Sequence, residues 1–160
     1  LNKKIIQKNQ NIVLNQASNI FDPINSSQYF YNRKVIIVKR DPRDMFSSMK
    51  TRRSKGSPSY EVHLFLKWFK KCFDNSTFKK ASNNKDVLIV KFENFLNNFD
   101  IENKKIFKFL KINEKFKFKN SSKNLFNLDK SKNNIYKSKK NLTNSENKII
   151  KKNLSSFLQW

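Results

Sequence analysis

The chain has 160 residues, enough for one domain with its own core, and its single cysteine, Cys72, excludes an internal disulfide framework. No apolar run approaches the length needed to cross a bilayer, and the start does not read as a signal peptide, so a cytoplasmic location without a membrane span is expected. The net charge of +23 invites a polyanionic partner, yet the lysines are scattered among many Asn, Ile and Phe residues, as A/T-rich codons would produce, so the five arginines carry more information.

The first element expected is a short strand in "NIVLNQA" (Asn11–Ala17). "KVIIVKR" (Lys34–Arg40) is a near-continuous β-branched run, the pattern of a strand buried on both faces. A helix is expected to begin within two residues of Arg43, because Pro42 suits a first helical turn. "RRSKGSPS" (Arg52–Ser59) is a turn region holding the sole glycine, Gly56, and Pro58. "YEVHLFLKWFKKCF" (Tyr60–Phe73) sets Val62, Leu66, Phe69 and Phe73 on one helical face. The sole histidine, His63, reads as an ordinary residue of that helix.

"DVLIVKF" (Asp86–Phe92) is a second buried strand. Asp100 reads as the N-cap of a helix that turns Ile106, Phe107 and Leu110 inward. Residues 113–140 are polar and weakly patterned, and read as a loop or partly ordered arm. The closing helix has Ile149, Ile150, Leu154, Phe157 and Leu158 as its apolar positions. Strands alternating with helices imply an α/β fold, with Asn11–Asn15, Lys34–Lys39 and Val87–Lys91 in one parallel sheet. The chain starts at Leu1 rather than Met and ends inside an apolar helical pattern, so residues 1–160 read as one partial domain cut from a longer protein.

Ligands of such sheets bind beyond the carboxyl ends of the strands, where Arg40 stands. A guanidinium beside a helix N-terminus attracts an anion, and Ser48, one turn past Asp44, adds a hydroxyl suited to a terminal phosphate. The same residues also suit a surface network in which Asp41 caps the helix and Arg40 and Arg43 pair with Asp41 and Asp44.

"KVIIVKRDPRDMFSS" resembles the 3′-phosphate-binding segment of sulfotransferases that use 3′-phosphoadenylyl sulfate: a buried strand, Arg-x-Pro-[Arg/Lys]-Asp, then a Ser eight residues after the Arg. Arg40, Pro42, Arg43, Asp44 and Ser48 occupy those places. "DVLIVKFENFLNNFDIENKKIFKFLKI" is similar to the family's later strand, with Phe92–Glu93 at its Tyr-Glu pair and Phe109–Leu110 at its Phe-Leu. "NNIYKSKKNLTNSENKIIKKNL" resembles the basic cofactor loop and the helix start after it, although the family's loop usually carries a Gly that is missing here.

The resemblance implies a P-loop-type three-layer fold, of which this chain would be a fragment. It also implies a sulfotransferase moving sulfate from 3′-phosphoadenylyl sulfate to a hydroxyl or amine of a small-molecule or carbohydrate acceptor. Arg40 and Ser48 would hold the 3′-phosphate, with Lys137, Lys139 or Lys140 reaching the same group. Phe92 would pack near the adenine or in the core. The family's glycine loop for the 5′-phosphosulfate, Pro-Lys-x-Gly-Thr-Thr in outline, has no counterpart here, since Gly56 follows the Arg40 motif instead of preceding it. This chain alone is therefore expected to be inactive. The catalytic base is not assigned, because Asn15 and Gln16, at the same sheet edge, cannot act as bases. No metal site is expected. Two other classes remain: a basic nucleic-acid-binding module, which lacks a recognisable motif, and a kinase-like P-loop enzyme, which would need a Walker loop upstream.

Overall fold

Two five-residue runs, Val-Ile-Ile-Val-Lys and Val-Leu-Ile-Val-Lys, form the sheet: β1 (Val35–Lys39) and β2 (Val87–Lys91) pair in parallel, with Val35 opposite Val87 and Lys39 opposite Lys91. β-branched side chains favour this extended backbone. The computed structural model describes residues 22–52, 61–73, 83–112 and 127–158, together with Val13, Pro58 and Ala81. The strand expected at Asn11–Ala17 lies outside the described residues, save for Val13, which is exposed and in no strand.

A short helix α1 (Pro23–Ser26), capped by Asp22, and a 3-10 turn (Ser27–Tyr29) precede β1. The chain then crosses from β1 to β2 through α2 (Pro42–Arg52) and α3 (Val62–Cys72). α2 begins at Pro42, inside the expected window. Beyond β2 come α4 (Phe92–Asn97) and α5 (Phe99–Leu110). Asn98, not Asp100, stands at the N-cap of α5, and Asp100 lies in its first turn, where a carboxylate still favours the helix dipole. Ile106, Phe107 and Leu110 are half-buried.

Residues 127–140, expected within a loop or arm, form α6 (Leu128–Lys132), a tight turn and the start of α7 (Ser138–Asn141). Asn127 caps α6 through its side chain, and the turn is tied to Arg40 at Asn134 and to Asp44 of α2 at Tyr136. Residues 113–126 lie outside the described residues. The expected closing helix is two: α8 (Asn144–Asn153), begun by a Thr143–Glu146 capping box, and α9 (Ser155–Leu158) after a break at Leu154.

The core lies on one side of the sheet, where Ile37 and Ile89 meet α2, α3 and α8. Phe46 and Phe65 are fully buried, with ring centroids 5.0 Å apart, and Phe69 meets Phe157 edge-on at 5.2 Å. Of the face expected on α3, Val62, Leu66 and Phe69 are buried and Phe73 is half-buried, while Phe65, which the sequence reading left out, is the most buried residue of the helix. Cys72 is buried there too, and burial pushes its thiol up, as for an inert core cysteine.

The opposite face of β1 departs from the sequence reading. Ile36 is 38% exposed and Val38 53% exposed, so β1 is covered on one face only among the described residues. Val90 on β2 is buried, since α4 and α5 fold back beside that strand. A β-branched run reports strand propensity, whereas burial of its second face depends on what lies over it.

Candidate phosphate site

α2 starts as β1 ends, so the sheet's carboxyl edge and the first turns of α2 carry the residues that the sequence singles out. Arg40 Nη2 donates to Ser48 Oγ at 2.9 Å and to the Asn134 carbonyl oxygen at 2.9 Å. The Arg40 guanidinium lies 5.0 Å from the centre of the Phe92 ring. The half-buried Phe92 thus faces a cation, a role between the adenine contact and the core packing foreseen for it.

The alternative surface network is realised in part. The Asp41 carboxylate accepts the Arg43 N–H at 2.8 Å and pairs with the Arg43 side chain at 2.6 Å. Those hydrogen bonds hold the Arg43 guanidinium above its ordinary range. The start of α2 is therefore capped by its own neighbour: its dipole still favours an anion nearby, but Asp41 already takes its Arg43 amide. The Asp41 N–H goes to Glu93 Oε1 at 2.9 Å, linking the two strand ends.

Asp44 does something else. It is 1% exposed, and its carboxylate accepts the Tyr136 N–H at 2.7 Å and the Ser138 N–H at 2.8 Å. Further along α2, Ser47 receives the Asn141 amide at 3.2 Å and Lys50 pairs with Glu146 at 2.7 Å. Burial pushes the Glu146 carboxyl up, but hydrogen bonds from Lys50 and Thr143 and the charge of Lys50 outweigh it and leave the group below its usual range. The late segment from Asn134 to Glu146 is thus laced by polar contacts along Arg40 and α2.

The structure therefore brings Arg40, Ser48, Phe92 and the turn after α6 together. Of the three lysines, Lys137 stands half-buried at the N-cap of α7, while Lys139 and Lys140 are exposed. The Lys139 ammonium lies 4.8 Å from the centre of the Tyr136 ring. His63, read as an ordinary helix residue, is exposed on α3. Asn15 and Gln16 lie outside the described residues. A cleft of about 180 Å³ opens beside this assembly, lined in part by Asp41, Asp44, Glu93 and Lys91. Three carboxylates against one ammonium make it a poor receiver of phosphate, and neither Arg40 nor Ser48 lines it.

Asn134, Tyr136 and Ser138 were not singled out as partners of α2, because backbone groups reaching across 92 or more residues leave no local pattern. Burial also lowers the ammonium pKa of Lys39, beside Arg40, to about 8. No family model, curated protein or solved structure matches the chain.

Proposed function

We propose that the chain is the later part of a sulfotransferase domain, with Arg40 and Ser48 holding the 3′-phosphate of 3′-phosphoadenylyl sulfate. The observation that carries this reading is a convergence. Three segments that resemble successive parts of that family, around Arg40, Phe92 and Asn134, meet at one guanidinium although 52 and 94 residues separate them from it in the chain. A surface ion-pair network would require no such meeting.

The donor set suits a phosphate monoester. A guanidinium fork matches phosphate oxygens, and a Ser48 hydroxyl that accepts from Arg40 keeps its own hydrogen to give. Lys137, Lys139 and Lys140 add positive charge on the same segment as Asn134. The parallel pair β1–β2, joined through α2 and α3, is compatible with a three-layer P-loop-type sheet, whose further strands belong to the proposal.

When bound, the nucleotide supplies an activated sulfuryl group for a hydroxyl or amine acceptor. The residues of this chain grip its other end. The sequence offers no glycine loop for the phosphosulfate, and removal of one such donor in comparable sites costs about a hundredfold in rate or more. The chain alone is expected to bind nucleotide without transferring sulfate.

Calorimetric titration with adenosine 3′,5′-bisphosphate tests the site. Arg40→Ala is expected to weaken binding by about 2–3 kcal/mol, the scale of a charge-assisted bond, and Ser48→Ala by about 1 kcal/mol. Wild-type affinity in both variants would reduce Arg40 to a fastener of the late segment and end the phosphate reading.

A further inference from the structure

Asp44 is the one buried charged side chain among the described residues. A carboxylate withdrawn from water needs strong partners, and those found here are backbone amides: Tyr136 N–H on Oδ2 and Ser138 N–H on Oδ1. Two amides turned inward within three residues make an anion-receiving concavity of the kind that often holds phosphate. In this chain a carboxylate of the protein itself fills it.

The turn that aims those amides is strained. Tyr136 has φ 59°, the left-handed region, which an aromatic residue enters at a cost that glycine does not meet. Two residues earlier, the Asn134 carbonyl accepts from the Arg40 nitrogen that also donates to Ser48. Asp44 and Ser48 stand one turn apart on α2, so one rigid element carries both ends of the connection. The path is short and physical: carboxylate to turn, turn to carbonyl, carbonyl to guanidinium.

We propose that Asp44 is a positioning residue, whose carboxylate holds residues 134–138 in the left-handed turn that orients the Arg40 guanidinium toward a phosphate. The proposal rests on the phosphate reading of Arg40 and Ser48. It assigns the family-like Asp of the motif a task distinct from ion pairing, which Asp41 performs with Arg43. It also explains how the segment works without a glycine: the conformation that glycine would adopt freely is imposed by Asp44.

The test uses the full chain, two nucleotides and amide NMR. Wild type should prefer adenosine 3′,5′-bisphosphate to adenosine 5′-monophosphate. In Asp44→Asn the Tyr136 and Ser138 amide resonances should move upfield as the charged acceptor is lost. The same variant should lose about tenfold in bisphosphate affinity with no change for the monophosphate. A second pair of variants works without touching the buried charge, should Asp44→Asn fail to fold. Tyr136→Gly, which suits the turn, should keep bisphosphate affinity within about threefold. Tyr136→Val, whose branched side chain resists positive φ, should lose about fivefold or more for the bisphosphate alone. If wild type does not distinguish the two nucleotides, the phosphate reading falls and this proposal with it. If wild type distinguishes them and the Asp44 and Tyr136→Val variants do so equally well, or lose affinity for both nucleotides alike, the positioning role alone is overturned.

Discussion

At its amino end β1 leaves a turn in which Tyr29 and Tyr31 are 83% and 94% exposed, and there Lys34 pairs with Asp86 at 2.6 Å across the sheet. At its carboxyl end Arg40 and the adjoining α2 reach Asn134, Tyr136, Ser138, Asn141 and Glu146. The first tie is a half-exposed ion pair, a class that contributes little because water already solvates both charges well. The second is a part-buried network around the buried Asp44, and a carboxylate given up by water needs its partners. The same strand thus ends in two environments. The end with long-range polar connections is the one where the phosphate site is proposed, and such connections would suit a site that needs a fixed guanidinium.

The sharpest way to break this comparison is to probe apolar burial at each place. Phe46 on α2 is fully buried against Phe65. Phe46→Ala should cost about 3–5 kcal/mol of stability in urea unfolding, through lost transfer energy and the cavity left behind. Val38→Thr, on the uncovered face of β1, should change stability by about 0.5 kcal/mol or less. A cost for Val38→Thr approaching that of Phe46→Ala would mean that the face is covered in solution, and the contrast between the two sides of β1 would disappear.

A charge at the site end sharpens it further. Burial lowers Lys39 to about 8 from an ordinary 10.5, because an ammonium withdrawn from water gives up its proton more readily. Below pH 8 the lysine is protonated in folded and unfolded chains alike, and the fold carries the full penalty. Between 8 and 10.5 the unfolded chain holds a proton that the fold has released, so stability should rise with pH across that window. Lysine-specific NMR titration should find one ammonium near 8, and Lys39→Met should remove its share of the rise. An ordinary titration at Lys39 would make the carboxyl end of β1 as open to water as the amino end.

How much of this was legible in the sequence follows the range of each interaction. The two β-branched runs and the start of α2 at Pro42 are local signals, and the structure places them where the pattern does. The meeting of Arg40 with Ser48 was legible too, since both lie on one continuous strand–helix unit. The task of Asp44 was not. Sequence spacing offered it Arg43 as a partner or Ser48 as a neighbour, whereas its partners are backbone amides on a segment that read as an arm. The left-handed Tyr136 could not be read at all, because the usual mark of such a turn is glycine. Asp100 misled for a related reason: a carboxylate suits the N-cap and the first turn equally, so local chemistry fixes the helix start only to within a residue or two.

The smallest effect is expected at the amino end, and its sign distinguishes it from Lys39. The Asp86 carboxyl lies below its ordinary 3.8 because it accepts a hydrogen bond from Lys34, with the charges of Lys34, Lys85 and Arg33 adding to the pull against a little burial. A carboxyl depressed in the fold binds its proton at lower pH folded than unfolded. Its contribution is therefore complete above pH 3.8 and fades as pH falls through the folded value, the opposite of the alkaline rise at Lys39. Asp86→Asn keeps the backbone bonds of that turn, including Val35 N–H to the residue 86 carbonyl, and removes the charge. The stability gap between wild type and Asp86→Asn should be small at neutral pH, shrink with added salt as exposed charges are screened, and close in acid. A gap that persists unchanged in acid or in high salt would mean that Asp86 acts through packing rather than charge, and that the two ends of β1 are held by more similar forces than their exposure suggests.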